Sequence, residues 1–335
     1  NKFAARDLEN IRPCIGCHQV CLSRIFQFQD ICCAVNPACA REESYGVGKA
    51  QTPKKVLVIG GGLAGMEAAR VCALRGHAVD LCEKTDRLGG AFIAASAEDY
   101  KADDRRLLQW YAKQMKDLKI NLFLNTKVDK AFVAQHSYDD VFVATGAVER
   151  KLNIPGFDQK NVTYAIETLL STTIEGENVL VVGGGLTGIE IACDLGSKGK
   201  KVTVVEACDT ILNSFGICAA NYNMLMEMLD YHHVDVRLST TVTKYENGVA
   251  DLLTTVKNYP NTANRAKLMY TAGPSGIPKL SRVKADHIVV SVGYISDHHL
   301  YDDLKAENVH LIGDAVKPEN VMKAIWDAYD IARSV

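Results

Sequence analysis

The densest run of chemistry-bearing residues is a set of thiols near the start of the chain. Residues 12–42 read RPCIGCHQVCLSRIFQFQDICCAVNPACARE, in which Cys14, Cys17 and Cys21 follow the spacing C-x2-C-x3-C and the adjacent Cys32 and Cys33 come from a returning segment. Thiolates are the ligands of iron–sulfur clusters and of structural zinc. Three of them in so short a stretch, with a fourth from downstream, can surround a cubane cluster, whereas zinc sites more often pair two C-x2-C motifs. Spacing alone leaves both metals open, and it leaves open which of Cys32 and Cys33 is the fourth ligand. The chain has 11 cysteines, six of them between Cys14 and Cys39. No leader with a charged, an apolar and a small-residue part opens the sequence, so the expected compartment is a reducing, cytoplasmic one, where such clustering serves metal or redox chemistry more than disulfides.

A second kind of site occurs twice. Lys55 to Lys84 reads KVLVIGGGLAGMEAARVCALRGHAVDLCEK, and Asn178 to Ala207 reads NVLVVGGGLTGIEIACDLGSKGKKVTVVEA, aligned without a gap. In each, an apolar strand runs into Gly-x-Gly-x-x-Gly, then a helix, then a strand ending in Glu, which is the dinucleotide-binding βαβ pattern. Gly60 and Gly183 permit the tight turn, Gly62 and Gly185 let the backbone approach a pyrophosphate, and Gly65 and Gly188 let helix and strand pack closely. The helix start, which includes Ala64 in the first copy, offers its unpaired amides to the phosphates. Glu83 and Glu206 can accept hydrogen bonds from a ribose diol, and their charge opposes a 2'-phosphate, so NADH is expected over NADPH. A lone glycine motif would be a weak signal; its duplication with strand, helix and acidic end in place is a strong one.

The elements that must position these residues follow the same duplication. DVFVATGA (140–147) and DHIVVSVGY (286–294) are apolar strands ending at Gly146 and Gly293, each placed to close one sheet beside its ligand. Neither nucleotide motif has a C-x2-C or C-x4-C pair beside it, so a disulfide relay is disfavoured. The 335 residues, 47% hydrophobic and 23% charged, are enough for about two ordinary globular domains. A net charge of -2 with interspersed signs gives no basic face for nucleic acid. Apolar runs such as Val56 to Ile59 fall far short of the roughly 20 residues of a membrane helix, so a soluble chain is expected. The first residue is Asn rather than Met, which sets the expectation of a fragment whose N-terminal part lies upstream.

Near the C-terminus VHLIGDA (309–315) precedes a helical pattern starting around Asn320. With the two repeats, this resembles the two-dinucleotide-domain flavoprotein superfamily, in which an FAD domain is interrupted by an NAD domain. The resemblance implies FAD on the first repeat, at Gly60, Gly62, Ala64, Gly65, Glu83 and Gly146, with Asp314 on the ribityl chain. It places Arg87, Gly89 and Gly90 of the RLGG turn near the phosphates and flavin, Val128 at the adenine through its backbone, and the helix turn of Met322 and Lys323 at the flavin pyrimidine. NAD falls on Gly183, Gly185, Gly188, Glu206 and Gly293. Glu190 matches a glutamate near the nicotinamide; because Glu67 stands at the same place in the first repeat, a solvated helix face is the alternative. No residue is assigned as a certain catalytic acid or base.

IRPCIGCHQVC followed by CAVNP is similar to the segment joining barrel and reductase halves in the 2,4-dienoyl-CoA reductase, enoate reductase and trimethylamine dehydrogenase family, and the similarity covers essentially the whole chain. That resemblance implies a 4Fe-4S cluster on Cys14, Cys17, Cys21 and Cys33, with Cys32 and Cys39 as bystanders. NKFAARDLEN resembles the end of an old yellow enzyme-like barrel, which would carry FMN and the substrate and is missing from the sequence. The expected fold class is α/β, with two Rossmann-like domains of the disulfide-reductase type. Residues 1–49 form the barrel end and cluster segment, 50–155 with 284–335 the FAD domain, and 156–283 the NAD domain. Electrons would run from NADH to FAD, to the cluster and to FMN, in a full enzyme reducing an activated C=C bond of an enoate or enoyl-CoA. An amine dehydrogenase running electrons outward, and a non-enzymatic electron-carrier module for a separate partner, are the alternatives. The barrel would be upstream in the same chain or a separate partner, and a homo-oligomer is compatible with either.

Overall fold

The apolar runs that lead into the glycine loops become parallel strands buried on both faces. In the computed structural model, which describes residues 2–170, 173–213, 216–255 and 278–335, the chain divides into two compact units, Asn1–Val148 with Tyr294–Val335, and Glu149–Gly293. The first unit holds a five-stranded parallel sheet in the order Val309–Leu311, Asp140–Val143, Lys55–Ile59, Ala78–Cys82, Asn121–Phe123. The second repeats it as Val162–Tyr164, His287–Val290, Asn178–Val182, Lys201–Val205, Asp235–Arg237, again all parallel. It adds an antiparallel three-stranded sheet, Thr240–Glu246, Val249–Thr254 and Lys279–Lys284. Runs such as Val56 to Ile59 and Val179 to Val182 are wholly buried, as strands covered on both faces require. The α/β class with two Rossmann-like folds is the one observed.

The unit boundaries differ from those expected. The sequence reading places them at 155/156 and 283/284, whereas the compact units divide at 148/149 and 293/294. The reason is pairing: His287–Val290 lies between Val162–Tyr164 and Asn178–Val182 and completes the second sheet, so the segment leading to Gly293 belongs there. The leading segment 1–49 is likewise not separate. Val35 is 1% exposed within the core of the first unit, and Ile15, Cys33, Ala38, Tyr45 and Val47 pack against that core.

Two helices carry this attachment. Leu63–Arg75 starts at the first glycine loop and stops at Gly76, which takes the left-handed conformation that ends helices (φ 100). Within it Glu67 is fully buried. Arg70 holds that carboxylate through Nε and Nη2 at 2.9 and 2.8 Å, Arg12 reaches it from the thiol segment at 3.1 Å, and Tyr111 donates its hydroxyl at 3.0 Å. Burial alone would push the carboxyl's pKa up; the Arg12 and Arg70 charges and the hydrogen bonds from Arg70 and Tyr111 outweigh it and hold the pKa at about 2. Because Glu67 is wholly buried, its place in the repeat does not by itself put the matching Glu190 on a solvated helix face. The second helix, Val321–Ser334, buries Ile325, Ala328, Tyr329 and Ala332, one stripe at helical spacing, and is capped by the Asn320 side chain on the Lys323 amide at 2.9 Å.

Removing one member of a buried ionic group strands the others, at a cost of about 3–5 kcal/mol. Glu67→Gln is expected to destabilise the first unit by that amount in chemical denaturation at neutral pH. Because the folded pKa is depressed, the contribution of Glu67 is complete above its ordinary value of 4.5 and is lost as the pH falls toward about 2. A loss below about 1 kcal/mol at neutral pH would contradict this role.

Candidate functional site

In both units the glycine loop is shaped by contacts that only glycine allows. Gly60 (φ 110) and Gly183 (φ 111) lie in the left-handed region, and a Cβ on either would strike the carbonyl oxygen of Ala144 or Ser291, the residues just after the neighbouring strands. Gly65 and Gly188 pack in the same way on the carbonyls of Gly60 and Gly183. Gly62 and Gly185 are different. Their backbone is ordinary extended chain, and a Cβ added there meets nothing within 4 Å. The protein leaves that space open at the start of a helix with no side-chain cap, where the first amides face outward. A pyrophosphate fits such a cradle, and both loops have it.

Each loop is also tied by its acid. Gly61 N–H donates to Glu83 Oε2 at 2.6 Å, while Oε1 accepts from Thr85 N and Oγ1, both at 2.8 Å. In the second unit Gly184 N–H donates to Glu206 Oε2 at 2.6 Å and Cys208 N–H to Oε1 at 2.7 Å. The expected ribose acceptors are therefore loop anchors as well. A carboxylate has about four lone-pair positions, so Glu206 keeps acceptor capacity for a diol.

Distant segments close around the first loop. Gly89 N–H donates to Gly61 O at 2.8 Å, and a Cβ on Gly90 would lie 3.2 Å from Gly62 Cα, so the RLGG turn rests on the loop itself. Gly313 packs on Ala64, where a Cβ would approach the Ala64 methyl to 2.6 Å, and this brings the Gly-Asp turn to the helix start. Asp314 there is half-buried, its carboxyl pKa pushed up by burial, and it accepts from Glu319 N at 3.4 Å. Gly146 (φ 77) follows the strand Asp140–Val143, and Val128 is buried in the same unit. Arg87 is exposed, with Asp86 3.9 Å away. Lys323 gives its amide to the Asn320 cap and its ammonium to Asp327 at 2.7 Å. In the second unit Gly293 (φ 89) follows its strand, and Glu190 is half-buried on the helix after the loop.

The thiols gather in the first unit. Cys17 is half-buried, and its pKa is pushed up to about 11 by burial, with Cys33, Cys21 and Cys14 each adding to the rise. These are the four expected from the resemblance, and Cys39, expected as a bystander, is within reach of the same thiols: burial raises its pKa, and Cys33, Cys32 and Cys21 add to the rise. Cys14 Sγ also accepts the Gly16 amide at 3.3 Å. Cys32 is buried, with Arg24 Nη1 3.1 Å from its sulfur, in a small apolar group against which Cys17 packs. The donor set suits a thiolate-bound cluster. Among the described residues no three His, Cys, Asp or Glu side chains converge to enclose a single metal ion. Sequence reasoning missed Arg12, Tyr111 and Trp326, and it named Glu67 only as the counterpart of Glu190. Two signals were present: an acid and an arginine three residues apart, Glu67 and Arg70, inside the otherwise apolar stretch LAGMEAARV, and an arginine two residues before Cys14.

The description "pyridine nucleotide-disulphide oxidoreductase" belongs to the family whose profile matches residues 54–328. The chain is 39% identical over its whole length to the cinnamate reductase of Clostridium sporogenes, covering 47% of that protein. It is 32% identical over 99% of its length to the metal reductase of Desulforamulus reducens, covering 51% of it. A solved structure of 2-naphthoyl-CoA reductase with 2-naphthoyl-CoA matches with a TM-score of 0.84 at 27% identity, over 100% of this chain and 48% of that one. The chain spans about half the length of the curated relatives it matches. Among the described residues no helix is long and apolar enough to cross a membrane.

The two kinds of loop glycine are separable by experiment. Gly62→Ala is expected to leave the unfolding transition unchanged and to weaken FAD binding at least about tenfold, roughly 1.4 kcal/mol, because the added methyl enters space the protein does not use. Gly60→Ala is expected to destabilise the fold itself. Parent-like FAD affinity in Gly62→Ala, measured by flavin titration, would show that this space is not the phosphate site.

Proposed function

The chain belongs to the pyridine nucleotide-disulphide oxidoreductase family and is a nicotinamide-dependent flavin oxidoreductase; on that premise we propose that it passes electrons from NADH through FAD to a 4Fe-4S cluster. The observation that carries this reading is the fastening of the thiol segment to the unit of the first glycine loop, by Val35 in its core and by Arg12 on Glu67.

On this reading FAD lies on the first loop. Gly60, Gly62, Ala64 and Gly65 receive its pyrophosphate at the helix start, Gly89 and Gly90 wall the same space, and Arg87 lies at its edge. Glu83 accepts the adenosine ribose, Val128 lies at the adenine, Gly146 and Asp314 lie along the ribityl chain, and Lys323 belongs to the turn at the flavin ring. NADH lies on Gly183, Gly185 and Gly188, with Gly293 closing the site, Glu206 on its ribose and Glu190 near the nicotinamide. Cys14, Cys17, Cys21 and Cys33 bind the cluster as thiolates, so ligation removes the proton that burial favours on Cys17. When bound, the flavin turns the electron pair of a hydride into single electrons, which the cluster carries one at a time. This half of the enzyme needs no side chain as acid or base; its residues bind, orient and tune.

The relatives are about twice as long as this chain. The remaining half is proposed to be an FMN-bearing barrel, upstream in the same chain or as a separate partner, to which the cluster delivers electrons. The full enzyme would then reduce an activated C=C bond of an enoate or enoyl-CoA, the substrate class suggested by the names of the cinnamate and 2-naphthoyl-CoA reductases. The second loop is as fully built as the first, down to its acid clamp, which favours electron entry from NADH over an amine dehydrogenase with a vestigial nucleotide site.

Protein purified without oxygen is expected to contain FAD and about four iron atoms per chain; zinc in place of iron would overturn the cluster. Glu206→Ala is expected to weaken NADH by on the order of 1.5–3 kcal/mol for each lost hydrogen bond to the charged acceptor, and NADPH less. A parent chain that already prefers NADPH would contradict the role of Glu206.

A further inference from the structure

The C-terminal helix has a face that the electron path above does not use. On it, Trp326 Nε1 donates to the backbone carbonyl of Cys33 at 3.1 Å. Val20, Cys32 and Ala34 form a small buried group, against which Cys17, Met322 and Trp326 all pack. One indole thus hydrogen-bonds to one thiol-bearing residue and shares an apolar contact group with a second, Cys17. The Arg41 guanidinium lies 4.8 Å from its ring centroid, on the same segment as the thiols.

The start of this helix leads to the first glycine loop. Its capping residue Asn320 follows Glu319, whose amide reaches Asp314 at 3.4 Å, and the neighbouring Gly313 packs on Ala64 at the helix start. The helix is therefore one rigid piece with the Gly-Asp turn at its start and the thiols one turn along. Hydrogen bonds to the sulfurs are among the terms that set cluster potentials; the Trp326 bond goes instead to the backbone carbonyl of a ligand residue, where the positive end of the N–H dipole, turned toward Cys33, favours the added negative charge of the reduced state.

We infer that Trp326 is a positioning residue: its indole N–H fixes the Cys33 carbonyl on the C-terminal helix and raises the reduction potential of the thiolate-bound cluster. The inference rests on the reading of Cys14, Cys17, Cys21 and Cys33 as cluster ligands. A tryptophan that only fills space would act through its ring, and phenylalanine would replace it without electronic consequence.

The test is Trp326→Phe, which keeps an aromatic ring and removes the N–H. Anaerobic redox titration, followed by the paramagnetic signal of the reduced cluster, is expected to show a lower midpoint potential at parent-like FAD and iron contents. The equilibrium for reducing the cluster should fall about tenfold, equivalent to about 59 mV for a one-electron couple. An unchanged potential at full iron content overturns the inference. A second measurement needs no change at Trp326. The chain has two tryptophans, so in Trp110→Phe the emission comes from Trp326 alone, and loading the cluster is expected to quench it strongly. Emission indifferent to loading overturns the proposed proximity. A parent chain without iron refutes the cluster itself, a failure visible before any variant is made.

Discussion

A carboxylate removed from water has to be neutralised, and Glu67 is neutralised from two directions. Arg70 comes from its own helix, and Arg12 comes from the segment that carries the thiols. Desolvating the acid costs several kcal/mol, and only the complete set of partners offsets it. The thiol segment therefore cannot leave the first unit without exposing or stranding that charge. Arg12 is fixed further by stacking 4.4 Å above the Trp110 ring and by its bond to the Val35 carbonyl, which lies just beyond Cys33. One guanidinium thus stands near both flanks of the cysteine set and ties them to the helix that begins at the first glycine loop.

The C-terminal helix supplies a second fastening of a different kind. Tyr329 donates to the Tyr45 carbonyl at 2.5 Å, Asp330 accepts from the Tyr45 hydroxyl, and the guanidinium groups of Arg41 and Arg333 lie 3.9 and 4.1 Å from the Tyr45 ring centroid. Both helices that hold the thiols have ends that contribute to the first loop, one at its glycines and one through the Gly-Asp turn. The second unit has the same loop and the same acid clamp, but among the described residues no counterpart to these fastenings. Glu67 and Glu190 show the divergence directly. They follow their last loop glycines at equal distance, yet Glu67 is wholly buried among arginines and Glu190 remains half-buried on its helix.

What could be read from the sequence was what local pattern determines. KVLVI and NVLVV are apolar runs ending in glycine, and they became the central strands of two parallel sheets, with Glu83 and Glu206 at the ends of the next strands or just beyond. The site features that stayed hidden depend on contacts between residues far apart in the chain. Arg12 meets Glu67 across 55 residues, and Trp326 meets Cys33 across 293. Neither pairing leaves a periodic trace, and a glutamate on a helix reads by default as solvated. The boundary expected at 283/284 cuts off a strand that the sequence itself places beside the second ligand, with Gly293 at the NAD site, and the pairing of His287–Val290 assigns that strand to the second sheet. Glu83 and Glu206 were half legible: the acid was expected at the ribose, and the loop amides that hold it were not.

The central claim is that electrons entering at the second glycine loop reach the thiols of the first unit within this one chain. The most direct test is to reduce anaerobic protein with NADH and record the low-temperature paramagnetic signal in the parent and in Cys17→Ser. The expected result is a bleached flavin in both proteins and the signal of a one-electron-reduced cluster in the parent alone. A parent chain whose flavin bleaches while no cluster signal appears, or a Cys17→Ser chain with the full signal, would contradict it.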